Sequence, residues 1–330
     1  MPKLPKSIDS KSGYSPTVLV LVPSYNHARF LPRRIESILG QGYTNFKLLV
    51  IDDGSKDGTK DYLATINDPR ATIRIRDKNS GSPFSAWRDA LDEGEFDFIW
   101  IAESDDAAEL DFLTRAVEAL GKNEAAALYF CSSWVTNEDD ELVGHTLAYL
   151  REQFPKQEWG RSFTLTGSEF NSSMQVFGNV VPNMSSMLMR MSAFRKAFDT
   201  DVARYRLAAD WLFVGRLASQ GDVIFDHREG NYFRRHDRTA RAETHFERLC
   251  FEYFAAIKTV GALPGVSAEN TLASLKRCTI MFIHERGSPF EFVRQAFKTD
   301  PKAAIEILGW IIARAISRPD LIARVLRQQS

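Results

Sequence analysis

Apolar runs that break off at acids or proline punctuate the first third of the chain. Residues 17–22 (TVLVLV) stop at Pro23, residues 46–51 (FKLLVI) stop at Asp52 and Asp53, and residues 98–101 (FIWI) lead into Glu103, Ser104, Asp105 and Asp106. Apolar runs without alternation predict strands buried on both faces, as in parallel sheets covered by helices. Between them the period changes. Phe30, Leu31, Ile35, Ile38 and Leu39 recur at helical spacing until Gly40 and Gly42, a helix follows around Tyr62 and Leu63, residues 71–75 read as a shorter strand, and residues 85–91 as a helix. The β-α-β-α-β-α-β order over roughly the first hundred residues predicts an α/β doubly wound sheet. Ligands of such sheets collect at the carboxyl ends of the strands, which is where the acids stand.

The pattern continues less regularly. ALYFCSSWVTN, after Ala125, reads as another strand, and the acidic run at 138–141 that follows reads as a solvated hairpin tip rather than a ligand site. Residues 185–191 (SSMLMRM) predict a strand, with Ser192 capping a helix over 193–198. Residues 207–217 (LAADWLFVGRL) predict an amphipathic helix with Asp210 near its start, residues 222–225 a last strand, and residues 232–241 (YFRRHDRTAR) a basic stretch after it. From about residue 242 the text turns helical: 246–260, 272–284, 289–297, 301–317 and 320–327, separated by Pro and Gly. The expected organisation is a lead at 1–16, an α/β domain at 17–241 and a helical region at 242–330.

Composition narrows the chemistry. A formal charge of -1 over 330 residues gives no overall field for nucleic acid. Cys131, Cys250 and Cys278 are odd in number and far apart, which points to buried thiols in the cytoplasm rather than disulfides or zinc. The lead lacks an apolar core of the signal-peptide kind. Residues 303–313 (AAIEILGWIIA) are too short to span a bilayer, which takes about 20 apolar residues. They can pack on the domain, pair with another subunit, or lie on an anionic membrane surface, since residues 276–330 carry ten Lys or Arg against five Asp or Glu; packing is the expectation. The glycine-rich phosphate loops of nicotinamide and ATP sites are absent. Acids as close as Glu103, Asp105 and Asp106 repel unless a cation or a hydrogen-bond network offsets them, and all-oxygen ligands suit magnesium or manganese. The plain alternative is a solvated turn with an Asp helix cap.

VPSYN after the first strand, VIDDGSKDGT after the second, the NSG turn at 79–81 and IAESDD after the fourth occur in that order. Together, over about residues 17–237, they resemble a family 2 glycosyltransferase of the GT-A fold. The resemblance implies a Rossmann-like mixed α/β sheet flanked by helices, with a C-terminal helical extension. It implies inverting transfer of a sugar from a nucleotide-diphosphate donor, UDP- or dTDP-linked, with Mn2+ or Mg2+. The acceptor implied is a saccharide or lipid-linked saccharide of surface polysaccharide biosynthesis.

By that resemblance Tyr25 offers a ring face to the base and Pro23 a neighbouring carbonyl. Asp53 accepts the imino proton of uracil or thymine, while Asp52 orders the turn. Glu103 and Asp105 take the acidic places of the family's DxD motif with Ser104 between them: Asp105 binds the metal with Asp106 adjoining, and Glu103 reaches the ribose or a metal-bound water. His236 is a further metal ligand or phosphate contact. Asp210 is the general base on the acceptor hydroxyl, with Trp211 flanking the acceptor. The sequence departs from the pattern at Glu103, a methylene longer than Asp, and at Ala209, where many relatives carry a second acid. Should Asp210 not be the base, the 138–141 run and Glu169 are the next acids. The QxxRW signature of processive synthases is missing, so a limited number of sugars is expected, and homo-oligomerisation and peripheral membrane contact stay open. Two other readings share parts of this pattern. A sugar-phosphate nucleotidyltransferase would need a glycine- and basic-rich loop near the N-terminus, which is missing; a silent nucleotide- or carbohydrate-binding module would not need Asp53, Asp105 and Asp210 together.

Overall fold

A computed structural model describes residues 15–199, 202, 205, 207–235, 246–284, 293–294, 296–298 and 301–317. In chain order the first part comprises β1 (Val18–Ser24), α1 (Leu31–Leu39), β2 (Phe46–Asp52), α2 (Thr59–Leu63), β3 (Ala71–Ile75), α3 (Phe84–Leu91) and β4 (Phe98–Ile101). Then come β5 (Ala107–Ala108), α4 (Phe112–Lys122), β6 (Ala126–Thr136), β7 (Leu142–His145), α5 (Thr146–Gln153), β8 (Phe163–Leu165), α6 (Gly167–Ser173), β9 (Met187–Arg190), α7 (Met191–Ala197), α8 (Ala209–Ala218) and β10 (Asp222–Arg234). The helices α9 (Phe246–Gly261), α10 (Ala268–His284) and α11 (Pro301–Ser317) follow.

Among the described residues the strands form one mixed sheet in the order β3-β2-β1-β4-β9-β6-β10-β5, with β7 beside β6 and β8 beside β10. The β3-β2-β1-β4 half is parallel, and β9 runs antiparallel between β4 and β6. Side-chain alternation sorts the apolar runs onto two faces. Val18, Val20, Val22, Phe98 and Trp100 pack with α1 and α4, whereas Leu19, Leu21, Ile99 and Ile101 pack with α3, α7 and α8. Both faces are covered, which is why these runs are apolar throughout. The register sets Ser24 opposite Asp52 and Leu21 opposite Ile101. The first two strands and the acid loop after β4 therefore end on one edge of the sheet.

The predicted strands and helices up to residue 284 and the helix at 301–317 are present, the helix expected at 320–327 and most of that at 289–297 lie outside the described residues, and the differences elsewhere have local causes. The last strand runs on from Phe225 to Arg234, because β10 stays paired with β6 through register shifts between Asp226 and Asn231. The first residues of the expected basic loop are thus strand. Helix α7 begins at Met191 without a side-chain cap, so Ser192 does not cap it. The acidic 138–141 run is the solvated hairpin tip expected, between β6 and β7, and it carries ion pairs the sequence did not show: Arg29 pairs with Glu138 at 3.3 Å and Asp139 at 2.5 Å, while Arg33 and Arg234 both pair with Asp140. Cys131 and Cys278 are buried free thiols.

Helix α8 is buried on two sides, which explains its nearly all-apolar sequence. Phe213, Val214 and Leu217 face the sheet, whereas Trp211 and Leu212 join Phe254, Ile257 and Val260 of α9, Leu275 of α10, and Ala304 and Ile307 of α11. The helical region thus shares a core with the α/β domain. Residues 303–313 pack as expected through Ala304 and Ile307, and Ile305 (60%) and Ile312 (50%) stay exposed. Among the described residues no helix is long and apolar enough to cross a membrane.

Because Trp211 sits at this joint, edge-on to Tyr253 at 5.4 Å, Trp211→Ala should cost about 3–5 kcal/mol. Urea denaturation would show it as an earlier midpoint; an unchanged midpoint would mean that α9 is not held through this contact.

Candidate active site

The turn from β4 into β5 carries the acids, and it is clamped from below and from both sides. Arg34 of α1, fully buried, donates from Nε to the Glu103 carbonyl at 2.8 Å, stacks over Trp100 at 5.4 Å, and brings Nη2 within 3.9 Å of Asp106. Its two Nη nitrogens have no hydrogen-bond partner among the described residues. Burial pulls this guanidinium down to about 10 against the attraction of Asp106, Asp105 and Glu103. Asn183 donates to Asp106 at 2.7 Å and to Glu103 at 3.3 Å, while the Ser185 hydroxyl accepts the Glu103 N–H at 2.9 Å. On the far side, the N–H of Arg234 donates to Asp106 at 2.9 Å and its Nε to the Asp105 carbonyl at 2.7 Å.

These carboxylates strain against one another. Burial first, then Asp106, Asp105 and Asp210, hold the Glu103 carboxyl well above the usual range. Burial and Asp105 push Asp106 up to about 6, against the pull of Arg34, Ser185 and the Arg234 N–H. Asp106 is fully buried and bonded on both oxygens to protein donors. That placement corrects its expected part as a metal neighbour: it braces the loop from inside.

The loops after β1 and β2 are stitched together. Asp52, buried, accepts the N–H of Ser55 at 3.1 Å and the Ser55 hydroxyl, so it orders its turn. Asn26 donates its N–H to Ser55 Oγ and accepts from the Lys56 N–H, each at 2.8 Å, while His27 Nδ1 meets Ser104 Oγ at 2.7 Å. Asp53 accepts from Arg76 at 2.8 Å and from the Ser80 N–H and hydroxyl at 2.9 and 2.8 Å. Arg76 is itself held by Asp89 at 2.6 Å. Pro23 is half-buried at the end of β1, and the Tyr25 ring beyond it is 41% exposed.

Asp210 enters from the opposite side, in the first turn of α8. Its Oδ1 accepts the Trp211 N–H at 2.8 Å and its Oδ2 the Asn179 side-chain amide at 2.9 Å. Its charge helps to raise the Glu103 carboxyl, and Asn179 and Asn183 of one short segment bond to Asp210 and to Glu103, residues 107 positions apart in the chain. Trp211 does not join them. It is buried, its indole N–H donates to the Gln175 carbonyl at 2.5 Å, and it packs toward α9, so the expected acceptor contact is corrected to a core role. Of the alternative acids, Glu169 is bound in a capping box with Thr166, Glu138, Asp139 and Asp140 pair with arginines, and Glu141 accepts from the Asn137 amide at 2.8 Å. His236 lies outside the described residues.

Sequence reasoning missed the residues that hold the acids: Arg34, Arg76, Asn179, Asn183, Ser185 and Arg234. An arginine amid the helical spacing of α1 reads as a solvent-facing residue, and isolated Asn and Ser carry no periodic signal. Only the polar break of residues 183–186 just before the Met-rich strand hinted that something there was bonded.

Among the described residues no three His, Cys, Asp or Glu side chains stand together as a ready metal cage. Glu103 and Asp105 still fit a small hard cation. They are oxygen donors on one turn whose mutual repulsion a cation would relieve, and Mg2+-type sites commonly take one or two carboxylates with ligand phosphates completing the shell.

The family model described as "Glycosyl transferase family 2" matches residues 19–196. The succinoglycan biosynthesis protein ExoO of Rhizobium meliloti (strain 1021) is 35% identical over 103 residues, 31% of this chain and 29% of that protein. The hyaluronan synthase of Pasteurella multocida is 27% identical over 139 residues, 42% of this chain and 14% of that one. The chain thus spans less than a third of either relative's length. Crystal structures of S. aureus TarS share the fold: the one in complex with UDP-GlcNAc has a TM-score of 0.62 at 16% identity, covering 89% of this chain and 80% of that one.

Carboxyls raised in the folded state favour folding while protonated, and that contribution fades as pH rises from the unfolded value of 3.8 through about 6 for Asp106, with Glu103 following the same direction. A divalent cation should counter this loss. Mn2+ should therefore raise the thermal midpoint more at about pH 8 than at about pH 5. An equal rise at both, or none, would remove the acid loop as the cation's seat.

Proposed function

This chain belongs to glycosyl transferase family 2, and from that premise we propose that it is an inverting, metal-dependent glycosyltransferase of polysaccharide biosynthesis. The observation that carries the reading is that one short segment bonds Asp210 through Asn179 and both Glu103 and Asp106 through Asn183, which brings acids of two elements together. Two groups of acids from different elements suit a donor half and an acceptor half.

On the donor side, Tyr25 lies against the base. Asp53, aimed by Arg76 and Ser80, accepts the imino proton of uracil or thymine, and a UDP- or dTDP-sugar is the donor. Glu103 and Asp105 hold Mn2+ or Mg2+ and reach the ribose. When bound, the cation offsets charge developing on the departing diphosphate. His236 is a further contact to that diphosphate by family resemblance alone.

On the acceptor side, a sugar hydroxyl is a weak nucleophile until a base takes its proton. Asp210 receives that proton as the hydroxyl oxygen bonds to the anomeric carbon. The bond from that carbon to the nucleoside diphosphate breaks on the opposite face, so configuration inverts. The half-buried setting of Asp210, with both oxygens held, fixes the direction of attack. A saccharide or lipid-linked saccharide is the acceptor. The names of the relatives, succinoglycan biosynthesis protein and hyaluronan synthase, support a polysaccharide product. Exposed Ile305 and Ile312 on α11 suit peripheral contact with a membrane bearing that acceptor, on its cytoplasmic side.

Incubation with a panel of nucleotide sugars and Mn2+, read by mass spectrometry, tests the reading; transfer or donor hydrolysis supports it, and pyrophosphate-dependent turnover would favour a nucleotidyltransferase. Asp105→Ala should abolish Mn2+-dependent donor binding with the fold intact. Asp210→Asn should lower turnover by about 10²- to 10⁴-fold while donor affinity hardly changes. Wild-type turnover in Asp210→Asn would leave that carboxylate a helix-end acid and the reaction without this base.

A further inference from the structure

The loop between α6 and β9 reaches both halves of the site. Gln175, wholly buried, opens it; its Nε2 donates to the Trp211 carbonyl at 2.9 Å and to Asn179 Oδ1 at 3.3 Å, and its Oε1 accepts the Val180 N–H at 3.0 Å. Val180 and Val181 are buried and pin the loop to the sheet-facing core. Asn179, held at this anchored point, turns its amide nitrogen to Asp210 Oδ2 at 2.9 Å. The orientation of that amide is dictated by its neighbours. Its oxygen must face the Gln175 donor and its nitrogen the carboxylate, because the flipped amide would set two donors together and an oxygen against a carboxylate.

We propose that Asn179 is the positioning residue for Asp210, acting through that carboxylate and not on the sugar. The inference rests on the reading of Asp210 as the base. The Trp211 N–H fixes only one oxygen, and from within the acid's own helix turn. Rotation of the carboxylate about its Cβ–Cγ bond is stopped by a second donor from another element, and Asn179 supplies it. With a donor on each oxygen, from two different elements, the carboxylate plane is fixed, the kind of alignment whose loss by an ångström costs up to about 10²-fold in rate. Gln175 matters in turn because it couples the amide to the backbone of α8 through Trp211. The acid and its holder thus move as one unit with the helix.

The test is a double-mutant cycle on Asn179 and Asp210, measured with the nucleotide sugar that the donor panel selects, as transfer and as hydrolysis. Asn179→Ala and the isosteric Asn179→Asp, which cannot donate and brings a like charge, should each lower kcat about 10- to 100-fold. Donor Kd should stay at the wild-type value, and both variants should remain folded at the assay temperature. In the Asp210→Asn background, Asn179→Ala should reduce the rate little further. Wild-type kcat in both Asn179 variants, with Asp210→Asn slow, would overturn the inference and leave the base assignment standing. Full multiplication of the two losses would do the same by making Asn179 merely structural. Wild-type turnover in Asp210→Asn would bring down the base assignment and the inference with it.

Discussion

Repulsion among carboxylates that the fold will not let apart is the constraint on which this molecule is arranged. Glu103, Asp105 and Asp106 follow one another on a turn fixed at both ends by the sheet, and the charge of Asp210 reaches Glu103 from α8. Two unit charges about 4 Å apart at an effective dielectric of about 20 interact by about 4 kcal/mol, an appreciable part of a domain's net stability. The molecule answers in part with protein groups: Arg34 beneath the turn, Asn183 across it, and the Arg234 N–H beyond. A cation is the one further group that relieves such repulsion without adding negative charge.

The sheet order makes the arrangement possible. Insertion of β9 between β4 and β6 carries residues 183–186 to the acid turn, and the pairing of β10 with both β6 and β5 delivers Arg234 to its other side. One segment then serves two ends: Asn183 and Ser185 fix the donor-side acids, and Asn179, a few residues earlier, fixes Asp210. The tip between β6 and β7 adds a clasp, since Asp140 pairs with both Arg33 of α1 and Arg234 of β10. Exposed ion pairs are worth little singly. Arg234 itself is buried and also donates to the Asn137 carbonyl at 2.8 Å, so the tip and the acid turn are joined through a desolvated group.

The parallel half of the sheet was legible because burial on both faces writes unbroken apolar runs, and the acids after β2 and β4 were legible because sheets of this kind put polar ligands at strand ends. The course of β10 beyond Phe225 was not, since Asp226, His227 and Arg228 look like a loop unless the register shift after buried Asp226 is known. Trp211 misled for a physical reason as well: next to a candidate base it suggests a stacking surface, but α8 is covered by α9, and that face was invisible before the C-terminal helices were docked. The pairing of Arg29 and Arg33 with the 138–141 acids spans more than a hundred residues and has no local signature. Asn179 and Asn183 were silent because their value lies in where the loop carries them.

The central claim is that the acid turn is one cation-seeking site. Methyl NMR of the methionines tests it most directly. Met184 lies between Asn183 and Ser185 at the acid turn, whereas Met281 stands 36% exposed on α10. Titrated Mn2+, a paramagnetic ion, should broaden the Met184 methyl first and leave Met281 sharp, and Asp105→Ala should abolish the selectivity. Broadening of Met281 before Met184, or uniform broadening that Asp105→Ala does not alter, would contradict the account.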